Sequence, residues 1–291
     1  MRPARPSFTA AAVALARGIA AATSAVPNAP LDPLARELLP LPLALLGRAI
    51  ERTAPLGRSV GRAWNVASLG LVDHMALRTA AIDDALRVGL ADGDEQLVIL
   101  GAGLDARAFR MPELGNVVVY EVDHPATQAY KRARIGQHPP LAKELRFVEV
   151  DFEKTSLAGA LAGAGQRTDR KTFWIWEGVT MYLPLAATRA TLEAVAARSC
   201  AGSRLAMTYV PPVTPGIAKV PAFFAMLGMR LIGEPMVGRM PVDRAHEELA
   251  RAGFRVLSDE SSEDWLRRYG DGQRRLLLPS RLVVAQKGPR P

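Results

Sequence analysis

The sequence predicts an α/β fold, a Rossmann-like, doubly wound, mostly parallel seven-stranded sheet with an N-terminal helical cap. From Gln96 onward, short apolar runs rich in β-branched residues alternate with stretches suited to helices. Buried strands spaced by helices indicate parallel pairing with helices on both faces. The first of these runs passes directly into Gly101-Ala102-Gly103 and then into a helix, the order found where a sheet edge receives a nucleotide-like ligand.

Residues 1–95 read as helical with proline breaks, an N-terminal cap and substrate lid. Thr9–Ala22 is alanine-rich. Asp32-Pro33 reads as an N-cap followed by proline at the first helical position, opening a second, proline-interrupted helix through Ile50. A third helix runs from about Asp73 to Val88, with Met75, Ile82 and Leu86 on one face.

Residues 96–291 read as the core. The predicted strands are LVIL (97–100), VVVYEV (117–122), RFVEV (146–150), TFWIW (172–176) and RLAMTYV (204–210). Helices are expected over Ala106–Phe109, Pro125–Arg134, Leu157–Gly163 and Leu185–Ser199. The stretch at about 211–240, rich in Met, Pro and Gly, reads as an apolar cap insertion. A helix (Val242–Ala252) and two strands (Phe254–Ser258, Ser280–Gln286) complete the sheet.

Composition excludes several classes. A single cysteine, Cys200, rules out an intramolecular disulfide framework and a cysteine-built cluster. His74, His124, His138 and His246 fall in no HxxH or HExxH spacing, so no metal is expected. The formal charge of +8 comes from scattered arginines, which favours a solvated surface over a nucleic-acid partner. Arg2 and Arg5 precede the apolar run Phe8–Ala16, but Arg17 ends it early, and a cleaved signal is not expected. Leu38–Ile50 is broken by Pro40 and Pro42, so no membrane helix and a cytoplasmic location are expected. The sequence sets no oligomeric state.

Four places along the predicted sheet edge carry chemistry. Gly101 and Gly103 allow a sharp turn and let a cofactor lie against the backbone. GAGLDA also fits the GxGxxA pattern of nicotinamide and flavin sites. Glu121 and Asp123 end the next strand, about 20 residues after the glycines, where a carboxylate accepts both ribose hydroxyls of either cofactor type. Asp151 and Phe152 follow the third strand, where a carboxylate and a backbone N–H suit an adenine edge. Glu177 follows the fourth. A carboxylate there suits a cofactor bearing sulfonium and ammonium groups and would be a poor neighbour for a pyrophosphate.

Together with DPLARELL (32–39) and ALRTAAID (76–83), the blocks GAGLDARAFR, YEVDHP, VDFEK and WEGVTMYL resemble the leucine carboxyl methyltransferase-like family of class I S-adenosylmethionine-dependent methyltransferases. The resemblance runs from about residue 30 to the terminal LVVAQKG. It implies that Arg78 binds the donor's carboxylate, that Gly101, Ala102 and Gly103 form the donor turn, and that Asp123 binds the ribose. It implies adenine contacts for Asp151 and Phe152, and a place beside the donor for Glu177. Phe152 stands where leucine is common in the family.

The resemblance implies an O-methyltransferase acting on a carboxylate or acidic hydroxyl of a small molecule, with a secondary metabolite as the expected acceptor. The alternative is an NAD(P)-dependent oxidoreductase using the same glycine turn, although the chain lacks a Tyr-x-x-x-Lys pair for hydride chemistry. A carboxylate needs no general base, and no residue is assigned as one. Arg107 and Arg110 could orient a carboxylate acceptor, but both better suit a helix surface. For Arg78 the alternative is a surface position, and for Glu177 it is capping of the helix near Thr180.

Overall fold

The computed structural model describes residues 8–23, 32, 34–35, 37–52, 58–136, 138–151, 155–212, 236–273 and 278–289. Seven strands form one sheet in the order β3-β2-β1-β4-β5-β7-β6. They are β1 (Gln96–Leu100), β2 (Val118–Asp123), β3 (Glu144–Glu149), β4 (Thr172–Trp176), β5 (Arg204–Tyr209), β6 (Phe254–Ser261) and β7 (Arg281–Lys287). The pairs joining β1 to β5 are parallel, and β7 lies antiparallel between β5 and β6. The mostly parallel, doubly wound expectation holds.

Helices cover both faces because the strands are apolar on both sides: every residue of β1, β4 and β5 is buried. On one face, α1 (Phe8–Thr23) and α4 (Leu71–Ala91) pack with Leu97, Ile99, Phe173 and Ile175 in a single apolar cluster. The other face holds Val98, Leu100, Trp174, Trp176 and Met207 beneath α7 (Leu157–Gly163), α8 (Leu185–Ala197) and α9 (Val242–Arg251). Each such large apolar side chain contributes roughly 1.5–3 kcal/mol by leaving water. Between them in sequence lie α2 (Leu41–Arg52), α3 (Arg58–Ala67), α5 (Arg107–Arg110) and α6 (Pro125–Ile135), and α10 (Ser262–Tyr269) follows β6.

Some boundaries differ from expectation for local reasons. The second helix starts at Leu41, not at Pro33, because Asp32 is drawn into an ion pair with Arg17 instead of capping a helix; Pro33 itself lies outside the described residues. Helix α10 is an addition to the expected elements, and Ser261-x-x-Asp264 forms the reciprocal capping box that starts it. Most of the expected cap insertion, 213–235, lies outside the described residues. Among the described residues, no helix is long and apolar enough to cross a membrane.

The amino-terminal rim of the sheet is closed by side-chain amides. Gln96, first in β1, donates 2.8 Å to the Arg167 carbonyl and 3.0 Å to the Thr172 hydroxyl, and accepts from the Arg167 N–H at 2.9 Å. Gln166 donates to Thr172 and to the Arg198 carbonyl, each at 3.1 Å.

Asp94, in the turn before β1, is buried, its carboxylate has no hydrogen-bond partner among the described residues, and Arg204 is 3.8 Å away. Burial pushes its pKa up to about 7, against the pull of Arg204 and Lys171. A carboxyl whose pKa is raised on folding costs stability as pH rises from its unfolded value through the folded one. The melting temperature of the wild-type chain is therefore expected to fall between roughly pH 4.5 and 8 by more than that of Asp94→Asn. Thermal melts across that range test this; parallel profiles would refute it.

Candidate functional site

The register of the central strands brings the expected site residues to one edge. Leu100 pairs with Val122 on one side and Trp176 on the other. The next residues outward are Gly101, Asp123 and Glu177, side by side at the carboxyl ends of β1, β2 and β4. The order reverses between β1 and β4, and such a switch point opens a crevice for a ligand.

Gly101 has φ +65°, and a Cβ there would stand 2.6 Å from Val179 Cγ2. Any side chain is excluded by backbone conformation and by space. Gly103 also has positive φ. The Ala102 N–H donates 3.1 Å to the Val122 carbonyl, tying the turn to β2. The Gly103 N–H donates 2.5 Å to Asp123 Oδ2, and the His124 N–H donates 2.6 Å to Oδ1. Burial raises the Asp123 pKa above its ordinary value, and those two N–H groups oppose the rise. One carboxylate thus pins the glycine turn and faces the edge of the sheet.

Glu121, two residues before, is placed differently. It is 1% exposed and forms an ion pair with Lys131 of α6, itself buried. Burial lifts the Glu121 pKa to about 7, with Lys131 pulling it down. Asp151 lies just beyond β3, and its carbonyl accepts from the Thr155 N–H at 2.7 Å. Phe152 lies outside the described residues.

Glu177 and Arg78 meet across the edge. Arg78 Nε donates 2.9 Å to Glu177 Oε1, and Arg107 Nη1 lies 3.0 Å from Glu177 Oε2. Burial works against the Glu177 charge, but the two guanidiniums hold its carboxyl well below the usual range. The terminal nitrogens of Arg78 lie 3.7 and 3.8 Å from where a Cβ on Gly178 would stand. Neither alternative for these residues survives: Arg78 is buried in the fold, and the short turn Thr180–Tyr182 has no side-chain cap from Glu177.

The expectation for Arg107 and Arg110 is corrected as well. Neither side chain lies on a helix surface: both are buried against carboxylates. Arg107 donates 2.8 Å to Asp83 and also pairs with Asp105; Arg110 makes two bonds to Asp83, at 2.6 and 2.9 Å. Charges removed from water need such partners, and each arginine here faces a buried carboxylate.

His74 is a neighbour of this edge that the motifs do not single out. It sits one helical turn before Arg78, and its ring lies 5.7 Å from that of Trp265 in α10. Burial and the Arg78 charge depress its pKa to about 3, so it stays neutral. The four-residue spacing to Arg78 on one helix is the signal the sequence offers. His124 instead caps α6, its Nδ1 accepting from the Ala126 N–H at 3.2 Å. Tyr209, the last residue of β5, donates 2.6 Å to Asp259 of β6.

Taken together, the edge presents a cation, Arg78, beside an anion, Glu177, with a glycine turn and a hydroxyl-accepting carboxylate adjacent. That set fits a zwitterionic amino-acid group joined to an adenosine.

Comparison with known proteins agrees. The family model described as leucine carboxyl methyltransferase matches residues 10–196. A "putative S-adenosyl-L-methionine-dependent methyltransferase" of Mycolicibacterium gilvum is 41% identical over 146 residues, covering 49% of this chain and 47% of that protein. A like-named protein of Frankia alni is 37% identical over 181 residues, covering 61% and 62%. The chain thus matches about half to three-fifths of the length of these curated relatives. In fold, a duf574 family protein of Streptomyces avermitilis aligns over 94% of this chain and 96% of its own, with a TM-score of 0.59 at 16% identity. An O-methyltransferase family protein of Burkholderia thailandensis aligns over 80% and 61%, with a TM-score of 0.51 at 16% identity. The family match gives no support to the nicotinamide alternative.

Proposed function

Because the chain belongs to the leucine carboxyl methyltransferase family, we propose that it is an S-adenosylmethionine-dependent O-methyltransferase of a small acidic or hydroxylated acceptor. The observation that carries the reading is the Arg78–Glu177 pair standing beside the Gly101–Gly103 turn and Asp123 at the switch point. Arg78 takes the donor's α-carboxylate, and Glu177 balances its ammonium and sulfonium charges. Asp123 accepts the ribose hydroxyls with the lone pairs not used by Gly103 and His124. Asp151 and Phe152 take the adenine. Glu121, sealed against Lys131, supports β2 and α6 from behind.

When bound, the donor supplies an electrophilic methyl group whose leaving thioether needs no protonation. The chain's task is then to hold the acceptor oxygen in line with that methyl and to exclude water. The buried ion pairs fix the Arg78 and Glu177 side chains before any ligand arrives, so little reorganisation remains. A carboxylate acceptor is already nucleophilic. A neutral hydroxyl needs a proton acceptor, and His74, buried with its pKa depressed to about 3, is a poor base for that task, which favours an acceptor that is already ionised. Residues 1–95 and about 211–240 are proposed as the acceptor-side lid.

Calorimetric titration of the full chain with S-adenosylhomocysteine and with oxidised nicotinamide dinucleotide tests the donor. Saturable binding of the first and none of the second is expected, and the reverse would refute the reading. Radiolabelled methyl transfer to a panel of carboxylic acids, phenols and amines then tests the acceptor class. Turnover confined to amines would overturn O-methylation.

A further inference from the structure

Arg17 breaks the apolar run of the first helix in sequence, and the fold shows where it goes. The α1 helix packs on α4 through Ala14, Ala16, Ile19 and Ala20, yet Arg17 between them is also buried. A guanidinium in that setting requires partners. Its Nε lies 3.2 Å from Asp32 Oδ2, whose side chain is buried as well. Its Nη2 donates 2.7 Å to the carbonyl of Leu104, 87 residues along the chain.

Leu104 immediately follows Gly103. The Gly101–Asp105 turn is therefore held from several sides: Ala102 by Val122, Gly103 by Asp123, Asp105 by Arg107, and Leu104 by Arg17. The first three ties come from the sheet and its own connections. The fourth comes from the amino-terminal helix. The Arg17 charge also reaches Asp105 and Glu177, adding to the cations that hold both carboxyls below their usual range against burial.

We propose that Arg17 is a positioning residue of the donor site: anchored by Asp32, it holds the Leu104 carbonyl from outside the sheet and couples docking of α1 to donor occupancy. This rests on reading the Gly101–Asp105 turn as the donor site. Coupling of this kind is reciprocal, so the donor tightens the docking of α1 as much as docking tightens the donor. It also accounts for the Asp-Pro that opens the second block of the sequence, where the aspartate serves Arg17 and not a helix.

The test uses the full chain, with S-adenosylhomocysteine as probe and two readouts, calorimetric affinity and hydrogen exchange of peptides from 8–23. In the wild type, saturating probe is expected to slow exchange in α1. Arg17→Met is expected to lower probe affinity about tenfold and to abolish that protection. Arg17→Lys, which keeps the charge and one donor, should recover part of both. Asp32→Asn, which leaves the bond to Leu104 without its anchor, should shift both in the same direction by less. If Arg17→Met does not fold, the lysine and Asp32→Asn variants decide. Affinities within about twofold of wild type, or α1 exchange indifferent to the probe, overturn the proposal. Failure of the wild type to bind the probe at all would instead remove the donor reading itself.

Discussion

Asp123→Asn is expected to weaken S-adenosylhomocysteine binding by on the order of 100-fold, about 3 kcal/mol, while the chain stays folded. On the proposed ribose contact, the magnitude follows from two charge-assisted hydrogen bonds to the hydroxyls, each reduced when the acceptor loses its charge. Asparagine is the informative substitution. Alanine would also release the N–H groups of Gly103 and His124, which the carboxylate now accepts, and so would confound turn geometry with ligand contact. The amide keeps one acceptor, so one of those N–H groups loses its partner, at about 1 kcal/mol. In a chain of this size that is a fall of roughly 1.5–2 °C in melting temperature. Wild-type affinity should also decline as pH drops toward the raised Asp123 value, because the ribose needs the ionised form. The variant should lack that decline. An affinity within about threefold of wild type would withdraw the ribose assignment.

Glu177→Gln should produce the largest loss of stability. It leaves Arg78 and Arg107, both largely removed from water, facing a neutral amide. Breaking a buried pair by removing one partner typically costs about 3–5 kcal/mol, or roughly 5–8 °C in a chain of this size. Because the folded Glu177 carboxyl is held below its ordinary value, its contribution is fully present above the unfolded value. It is lost as pH falls through the folded one. The gap between wild type and variant, measured by urea unfolding, should stay level from about pH 8 to about 5 and narrow only below that. A variant as stable as wild type at about pH 8 would mean that the network is not the clamp its geometry indicates.

Much of this was legible in the sequence. Strand alternation placed β1 to β5 within one or two residues, because strands buried on both faces leave near-continuous apolar runs. Of the residues singled out from sequence, Arg78, the glycines, Asp123, Asp151 and Glu177 gather at one edge, whereas Glu121 turns to Lys131 and Phe152 lies outside the described residues. Less legible was what each charge would face. Arg107 and Arg110 read as surface residues because a four-residue helix has too little periodicity to reveal its buried side. Their partner Asp83 lies on a helix 24 and 27 residues away. Glu121 and Asp123 looked equivalent because they share a strand face. Only the packing of α6 sends Lys131 to one and leaves the other at the edge. Asp32 looked like a cap because its true partner, Arg17, belongs to a different helix.

The amide lattice of Gln96 and Gln166 at the opposite rim bears on how such a protein can diversify. By locking the starts of β1 and β4 to the loops before β4 and after α8, it makes the scaffold's rigidity independent of the ligand-facing end. Substitutions that re-tailor acceptor choice can then accumulate at one pole without eroding the foundation at the other.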